Sequence, residues 1–194
     1  MNQIILASSS PRRQELLRRT GLPFDIEISG YEEDNTLDLP PHELVKHLAA
    51  GKANWVAQRH PDAIVIGADT LVVFEGSIFG KPSGPDEVRE MISALSGQWH
   101  TVVTGLAIAH SGQQIVDVST TRVHMRRLSA ADINRYSKLQ DPLDKAGAYG
   151  VQTTASIVVD RVEGDYHGLV GLPMSLLALQ LQELGINLLS YMPK

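Results

Sequence analysis

Hydrophobic positions change their period several times along the chain, and each change marks an expected element. Gln3–Ala7 is a short apolar run that leads into Ser8-Ser9-Ser10-Pro11, so it reads as a buried strand followed by a helix start. Ser10 suits the N-cap and Pro11 the first helical position, with the helix running to about Thr20 before Gly21 and burying Leu16 and Leu17. Phe24–Ile28 alternates apolar with polar and predicts a second strand, and polar, acidic Ser29–Leu39 predicts a loop. Pro40-Pro41 opens a long helix in which Leu44, Val45, Leu48, Ala49, Val56 and Ala57 keep a helical period. Continuously apolar Ala63–Ala68 predicts a central strand buried on both faces, broken at Asp69-Thr70 and resumed over Leu71–Glu75.

Beyond Gly80–Pro85, Asp86–Leu95 predicts a helix that stops at Ser96-Gly97. Thr101–Ala109 and Ile115–Met125 flank Ser111-Gly112 and predict an antiparallel pair. Ser129 caps a short helix to about Tyr136, Gln140–Gly150 is loop, Ser156–Val162 is a strand, and a last helix runs from near Pro173 to near Gly185. Alternating helices and strands with an antiparallel element in the middle imply an α/β or α+β domain built on a mixed, curved sheet. No internal repeat or linker interrupts the pattern, so residues 1–194 read as one domain, with room for two lobes.

Composition narrows the chemistry. No cysteine is present, which excludes disulfides, thiolate metal sites and a cysteine nucleophile. A net charge of −5 and an aromatic content of 5% argue against a coat for nucleic acid polymers. Met-Asn-Gln-Ile-Ile-Leu-Ala lacks a basic start and a long apolar stretch, and no apolar run reaches membrane-spanning length, so a cytoplasmic protein is expected. His42 and His47 are five apart and would point about 140° apart on a helix, which rules out a helical zinc motif there.

Four loops carry candidate chemistry. Ser8-Ser9-Ser10-Pro11-Arg12-Arg13 places free amides, Ser8, Ser10 and two arginines at a helix start, where the backbone dipole disfavours cations unless an anion joins them. The same residues also suit an ordinary cap with exposed arginines. Asp69 in Gly67-Ala68-Asp69-Thr70 ends a buried strand, a place suited to holding a hard cation or orienting water, or simply to making a turn. Gly80-Lys81-Pro82 and Asp144-Lys145-Ala146-Gly147-Ala148-Tyr149-Gly150 each present a lysine between glycines, suited to phosphate oxygens and equally to a solvated surface. Gln152 carries an amide able to read a base edge. Glu32-Glu33-Asp34 offers further carboxylates in a loop.

Taken in order, Leu6–Leu17, Gly67–Thr70, Gly80–Pro82, Leu95-Ser96-Gly97, Asp144–Gly150 and Val170-Gly171-Leu172-Pro173 resemble the Maf family of nucleotide pyrophosphatases. The resemblance spans nearly the whole chain. It implies an inosine-triphosphatase-like fold, a long curved mixed sheet flanked by helices with a cleft between two lobes. It implies cleavage of a nucleoside triphosphate substrate between the α- and β-phosphates, a divalent cation (magnesium or manganese), and a homodimer. Arg12, Thr70 and Gln152 match the dTTP/UTP branch. Two positions depart from the family pattern: Asp141 precedes Pro142 where glutamate is frequent, and Thr153 follows Gln152 where glycine is common.

The roles implied by the resemblance are these. Asp69 and Glu33 hold the metal and activate water, without a decision as to which does which. Lys52 and Lys81 join them as catalytic cations, Lys52 being a residue that the helical pattern alone would leave on the surface. Ser8, Ser10, Arg12, Arg13, Thr70, Lys145 and Gln152 bind the nucleotide. The family's association with inhibition of septum formation leaves a binding role in cell division as the alternative.

Overall fold

The computed structural model describes residues 2–192, the side chain of Thr154 excepted. Its strands are β1 (Ile4–Leu6), β2 (Asp25–Ile26), β3 (Ile64–Phe74), β4 (Ser77–Phe79), β5 (Trp99–His110), β6 (Gln113–Met125) and β7 (Val159–Gly164). Its α-helices are α1 (Pro11–Arg18), α2 (Pro41–Ala57), α3 (Pro85–Leu95), α4 (Ala130–Tyr136), α5 (Tyr166–Val170) and α6 (Met174–Glu183), with short 3-10 turns from Asp141 onward. The sheet has seven strands in the order β2-β1-β3-β5-β6-β7, with β4 paired to β3. β1 is parallel to both β2 and β3, whereas β4 is antiparallel to β3 and β7 to β6. This is the mixed sheet flanked by helices that the alternation of elements implies.

The residues form two compact units, one of Met1–Asp69, Thr104–Ser119 and Gly171–Lys194, the other of Thr70–Val103 and Thr120–Val170. In the first, small side chains fill one core: Ala7, Ala49, Ala53, Ala63, Ala107 and Ala109 pack with Ile5, Val56 and Val65. Alanines let backbones approach closely, and α2 lies close over β3. In the second, larger side chains dominate, among them Val88, Ile92 and Leu95 of α3 with Val102, Val123 and Met125 of the sheet.

Most element boundaries follow the local signals. Pro11, Pro41 and Pro85 each occupy the first helical position, and Ser129 Oγ accepts the Asp132 N–H at 3.1 Å as a cap. Ser111 and Gly112, at φ 49° and 75°, make the two-residue turn that joins β5 to β6.

Several expectations are corrected. β3 runs unbroken through Asp69-Thr70, because the Asp69 carboxylate finds a side-chain partner and does not fold back on the backbone. Ser10 has the extended backbone of an N-cap, yet its side chain makes no cap bond. Ser156–Val162 is not one strand: a 3-10 turn over Thr154–Ile157 precedes β7, which extends to Gly164. The second strand keeps only two residues, Asp25 and Ile26.

Candidate active site

In the first unit, β3 and α2 bring together residues that the sequence scatters. Gly67 and Asp69 lie two apart on β3 and so point to the same face. A Cβ at Gly67 would stand 2.5 Å from the Ala49 carbonyl oxygen and 2.8 Å from the Ala53 nitrogen, so only glycine lets α2 lie this close. That approach carries Lys52 of α2 onto Asp69. Lys52 is 9% exposed and Asp69 is 6% exposed, so the lysine is part of the buried face and not the surface residue that its helical position suggests. Lys52 Nζ donates to Asp69 Oδ1 at 2.5 Å and lies 2.9 Å from Glu33 Oε1, which arrives from the acidic loop before α2. Burial of this charge is tolerable because it is paired twice.

Arg13 joins the cluster from α1. Its Nε donates to the Gly171 carbonyl at 2.7 Å, which fixes the guanidinium across the unit's N- and C-terminal segments. Burial pulls its pKa below the ordinary arginine range, while the fields of Asp69 and Glu33 act in the opposite sense and that of Arg12 adds to the lowering. Ser8, buried after β1, accepts the Ser10 N–H on its Oγ at 3.1 Å and takes a bond from Gln14 Nε2 on its carbonyl at 3.2 Å. The serine loop is thereby held by its own residues at the start of α1. Arg12 is half-buried beside it.

The second unit holds the other predicted residues. Lys145 is 5% exposed and its Nζ donates to Asp141 Oδ1 at 2.7 Å, Asp144 Oδ1 at 2.6 Å and the Asp141 carbonyl. Gly147, at φ 66°, turns the chain after it, and a Cβ there would press within 2.9 Å of Val72. Its N–H donates to the Gly80 carbonyl at 3.0 Å, which ties the Lys145 loop to the segment bearing Lys81. Lys81 and Gln152 are exposed, and Thr70 is half-buried on β3.

Two further features lay outside sequence reasoning. Thr153 Oγ1 lies 2.5 Å from Asp141 Oδ2, so the two positions that depart from the family pattern meet each other. His100 and Tyr149 are both buried, with Nε2 and Oη 2.6 Å apart. Burial pushes the His100 pKa down to about 4 and the Tyr149 hydroxyl far above its usual range. Tyr136 Oη in turn donates to the Ala148 carbonyl at 3.1 Å. The isolated histidine at position 100 carried no motif, so no signal in the sequence pointed to this network.

The donor chemistry fits a hard divalent cation. Asp69 and Glu33 converge on one ammonium, the arrangement two carboxylates would also offer a metal. Among the described residues no group of three or more His, Cys, Asp or Glu could hold a metal. Magnesium is content with one or two protein carboxylates and takes its remaining ligands from phosphates and water. Among the described residues no helix is long and apolar enough to cross a membrane.

A solved structure described as a nucleoside-triphosphatase / dITP/XTP pyrophosphatase from Mycobacterium abscessus is 13% identical, with a TM-score of 0.47, over 91% of this chain and 98% of that one. A Bacillus cereus protein named dTTP/UTP pyrophosphatase is 43% identical over 96% of this chain and 98% of its own. Relatives of the same name from Bacillus anthracis and Bacillus thuringiensis are each 44% identical over the same shares. The model of the family described as Maf-like protein matches residues 3–184. The charged cluster on β3 and α2 therefore sits in a chain that belongs to the Maf-like protein family.

Proposed function

We propose that this protein is a nucleoside triphosphate pyrophosphatase that hydrolyses dTTP and UTP to the monophosphate and pyrophosphate. The observation that carries the reading is the buried Lys52 held between Asp69 and Glu33, with Arg13 in the field of both carboxylates. Curated relatives that share about two residues in five over nearly their whole length bear the name dTTP/UTP pyrophosphatase.

Triphosphate hydrolysis asks a protein mainly to place positive charge where negative charge develops and to orient water. Arg13 and Lys52 supply fixed cations for phosphate oxygens. Asp69, buried on a strand, would hold the divalent cation, with Glu33 beside it on Lys52. A bound magnesium or manganese ion would neutralise phosphate charge and acidify water. Glu33, with 43% of its side chain exposed, is the carboxylate that meets solvent and takes the proton of the attacking water. Bond formation from that water to the α-phosphorus expels pyrophosphate. Ser8, Ser10 and Arg12 line the start of α1 as anion ligands, and Thr70 and Gln152 favour the pyrimidine base.

The test is pyrophosphate release by the purified protein from dTTP, UTP, CTP, GTP and modified nucleotides, with magnesium and with manganese. Release that is fastest with dTTP and UTP and is abolished by chelation is expected. Absence of release with every nucleotide would overturn the reading.

A further inference from the structure

The acidic loop that delivers Glu33 is held on α2 by an interlock of two glycines and two aromatic rings. His47, Gly51 and Trp55 recur every four residues on α2 and so form one stripe along it. A Cβ at Gly51 would stand 2.4 Å from Tyr31 Cζ, so the tyrosine ring occupies the space that any other residue would fill. A Cβ at Gly30 would stand 2.5 Å from Trp55 Cζ2, the reciprocal arrangement one residue earlier in the loop. Tyr31 Oη lies 3.0 Å from His47 Nε2, with the rings edge to face. The Arg59 guanidinium lies 3.4 Å from the Trp55 ring centre, and Arg59 Nη1 donates to the Trp55 carbonyl, so the tryptophan is itself braced. Ser29 Oγ accepts the Tyr31 N–H at 3.0 Å and sets the turn into this segment.

The register explains what the interlock achieves. Gly51 adjoins Lys52, and Tyr31 is two residues from Glu33, a span of at most about 7 Å along the chain. A ring fixed on Gly51 therefore leaves Glu33 little freedom to leave Lys52. Glu33 itself stands in an exposed loop without regular secondary structure, which by itself would not hold a carboxylate in place.

We propose that Gly30-Tyr31 is a latch: Tyr31 seated on Gly51, and Trp55 over Gly30, hold Glu33 against Lys52. Tyr31, Gly51 and Trp55 are then positioning residues, and they affect turnover through the role given above to Glu33.

The test uses full-length protein carrying Trp99→Phe, so that Trp55 is the only tryptophan. Tyr31→Ala and Gly51→Ala are expected to raise acrylamide quenching of Trp55 at least about twofold, as Gly30 lifts off the Trp55 ring and opens it to solvent. Tyr31→Phe keeps the ring and is expected to leave quenching unchanged. Gly51→Ala raises intrinsic helix propensity, so a loss of function in that variant is not a melted α2. For dTTP hydrolysis, kcat in Tyr31→Ala should fall about tenfold while KM stays within about threefold, the split expected when a proton-accepting group is misplaced. Glu33→Gln should cost about a hundredfold with the latch intact and only about tenfold in the Tyr31→Ala protein, because coupled residues are not additive. Equal costs in both backgrounds, or quenching that neither variant changes, would overturn the latch. If Glu33→Gln has no effect with the latch intact, the role of Glu33 falls, and quenching still decides whether the latch exists.

Discussion

Two lysines, Lys52 and Lys145, are each buried between two carboxylates, one in each unit, and they are held by different means. Lys52 on α2 meets Asp69 of β3 and Glu33 of a loop, partners 17 and 19 positions away that only the packing of α2 on the sheet brings near. Lys145 meets Asp141 and Asp144, both within four residues, and its three donors go to their carboxylates and to the Asp141 carbonyl. The first ammonium is fixed by tertiary structure and spends two of its donors on those carboxylates. The second pins its own loop, and it reaches a phosphate only by surrendering a bond that shapes Asp144–Gly150. The comparison teaches that a buried, doubly paired lysine is not by itself a sign of chemistry. What distinguishes Lys52 is that its partners are strand and loop carboxylates with another cation, Arg13, in their field.

The largest expected effect tests the Lys52 side. Asp69→Asn removes the buried charge that Lys52 answers, and turnover with dTTP should fall at least about a hundredfold while circular dichroism and cooperative melting persist. A folded variant of near-normal activity would dissolve the distinction. The next prediction sets the lysines side by side. Lys52→Met should cost about a hundredfold in kcat. Lys145→Met should cost less than about tenfold in kcat but about 2 kcal/mol of stability, read as a melting temperature lower by about 4–8 °C. If Lys145→Met loses as much activity as Lys52→Met without a lower melting point, Lys145 acts on the substrate and the contrast is wrong.

A third prediction concerns the frame behind Lys145. His100, against Tyr149, is held near pKa 4 by burial, below its ordinary 6.5. The unfolded chain therefore binds a proton at this residue that the folded chain refuses between pH 6.5 and 4. The resulting contribution is complete above pH 6.5 and is lost as pH falls toward 4, amounting to about 2 kcal/mol at pH 5. Denaturation by urea across this range should show the loss in the unmodified protein and a flatter profile in His100→Gln. An identical profile in both would remove His100 from the account. The smallest effect falls on selectivity. Gln152→Ala should change the ratio of kcat/KM among dTTP, UTP and GTP by about fivefold while lowering the best kcat less than about threefold. Unchanged ratios would count against Gln152 as a reader of the base.

Local signals accounted for much of the fold. Prolines at first helical positions, the Ser129 cap and the Ser111-Gly112 turn act within a few residues, so α1 to α4 and the joint between β5 and β6 were legible. The strand expected over Ser156–Val162 starts late because Ser156 and Ile157 close a 3-10 turn, with the Ser156 N–H bonded to the Thr153 carbonyl, a local bond that the apolar run Ile157–Val159 does not announce. Asp69-Thr70 was misjudged because aspartate usually ends a strand, and the lysine that lets it remain inside β3 lies on another element.

The sequence by itself determined the mixed α/β class, the family, and the identity of the charged residues, since each rests on composition, period or an ordered set of short motifs. Only the tertiary structure decided that Lys52 is buried, that Asp69 and Glu33 converge on it, that Lys145 is tied within its own loop, and that Tyr31 sits on Gly51. The physical reason is one of distance. Caps and turns are settled by neighbours a few bonds away, whereas the worth of a buried charge depends on partners that arrive from other elements when the core closes.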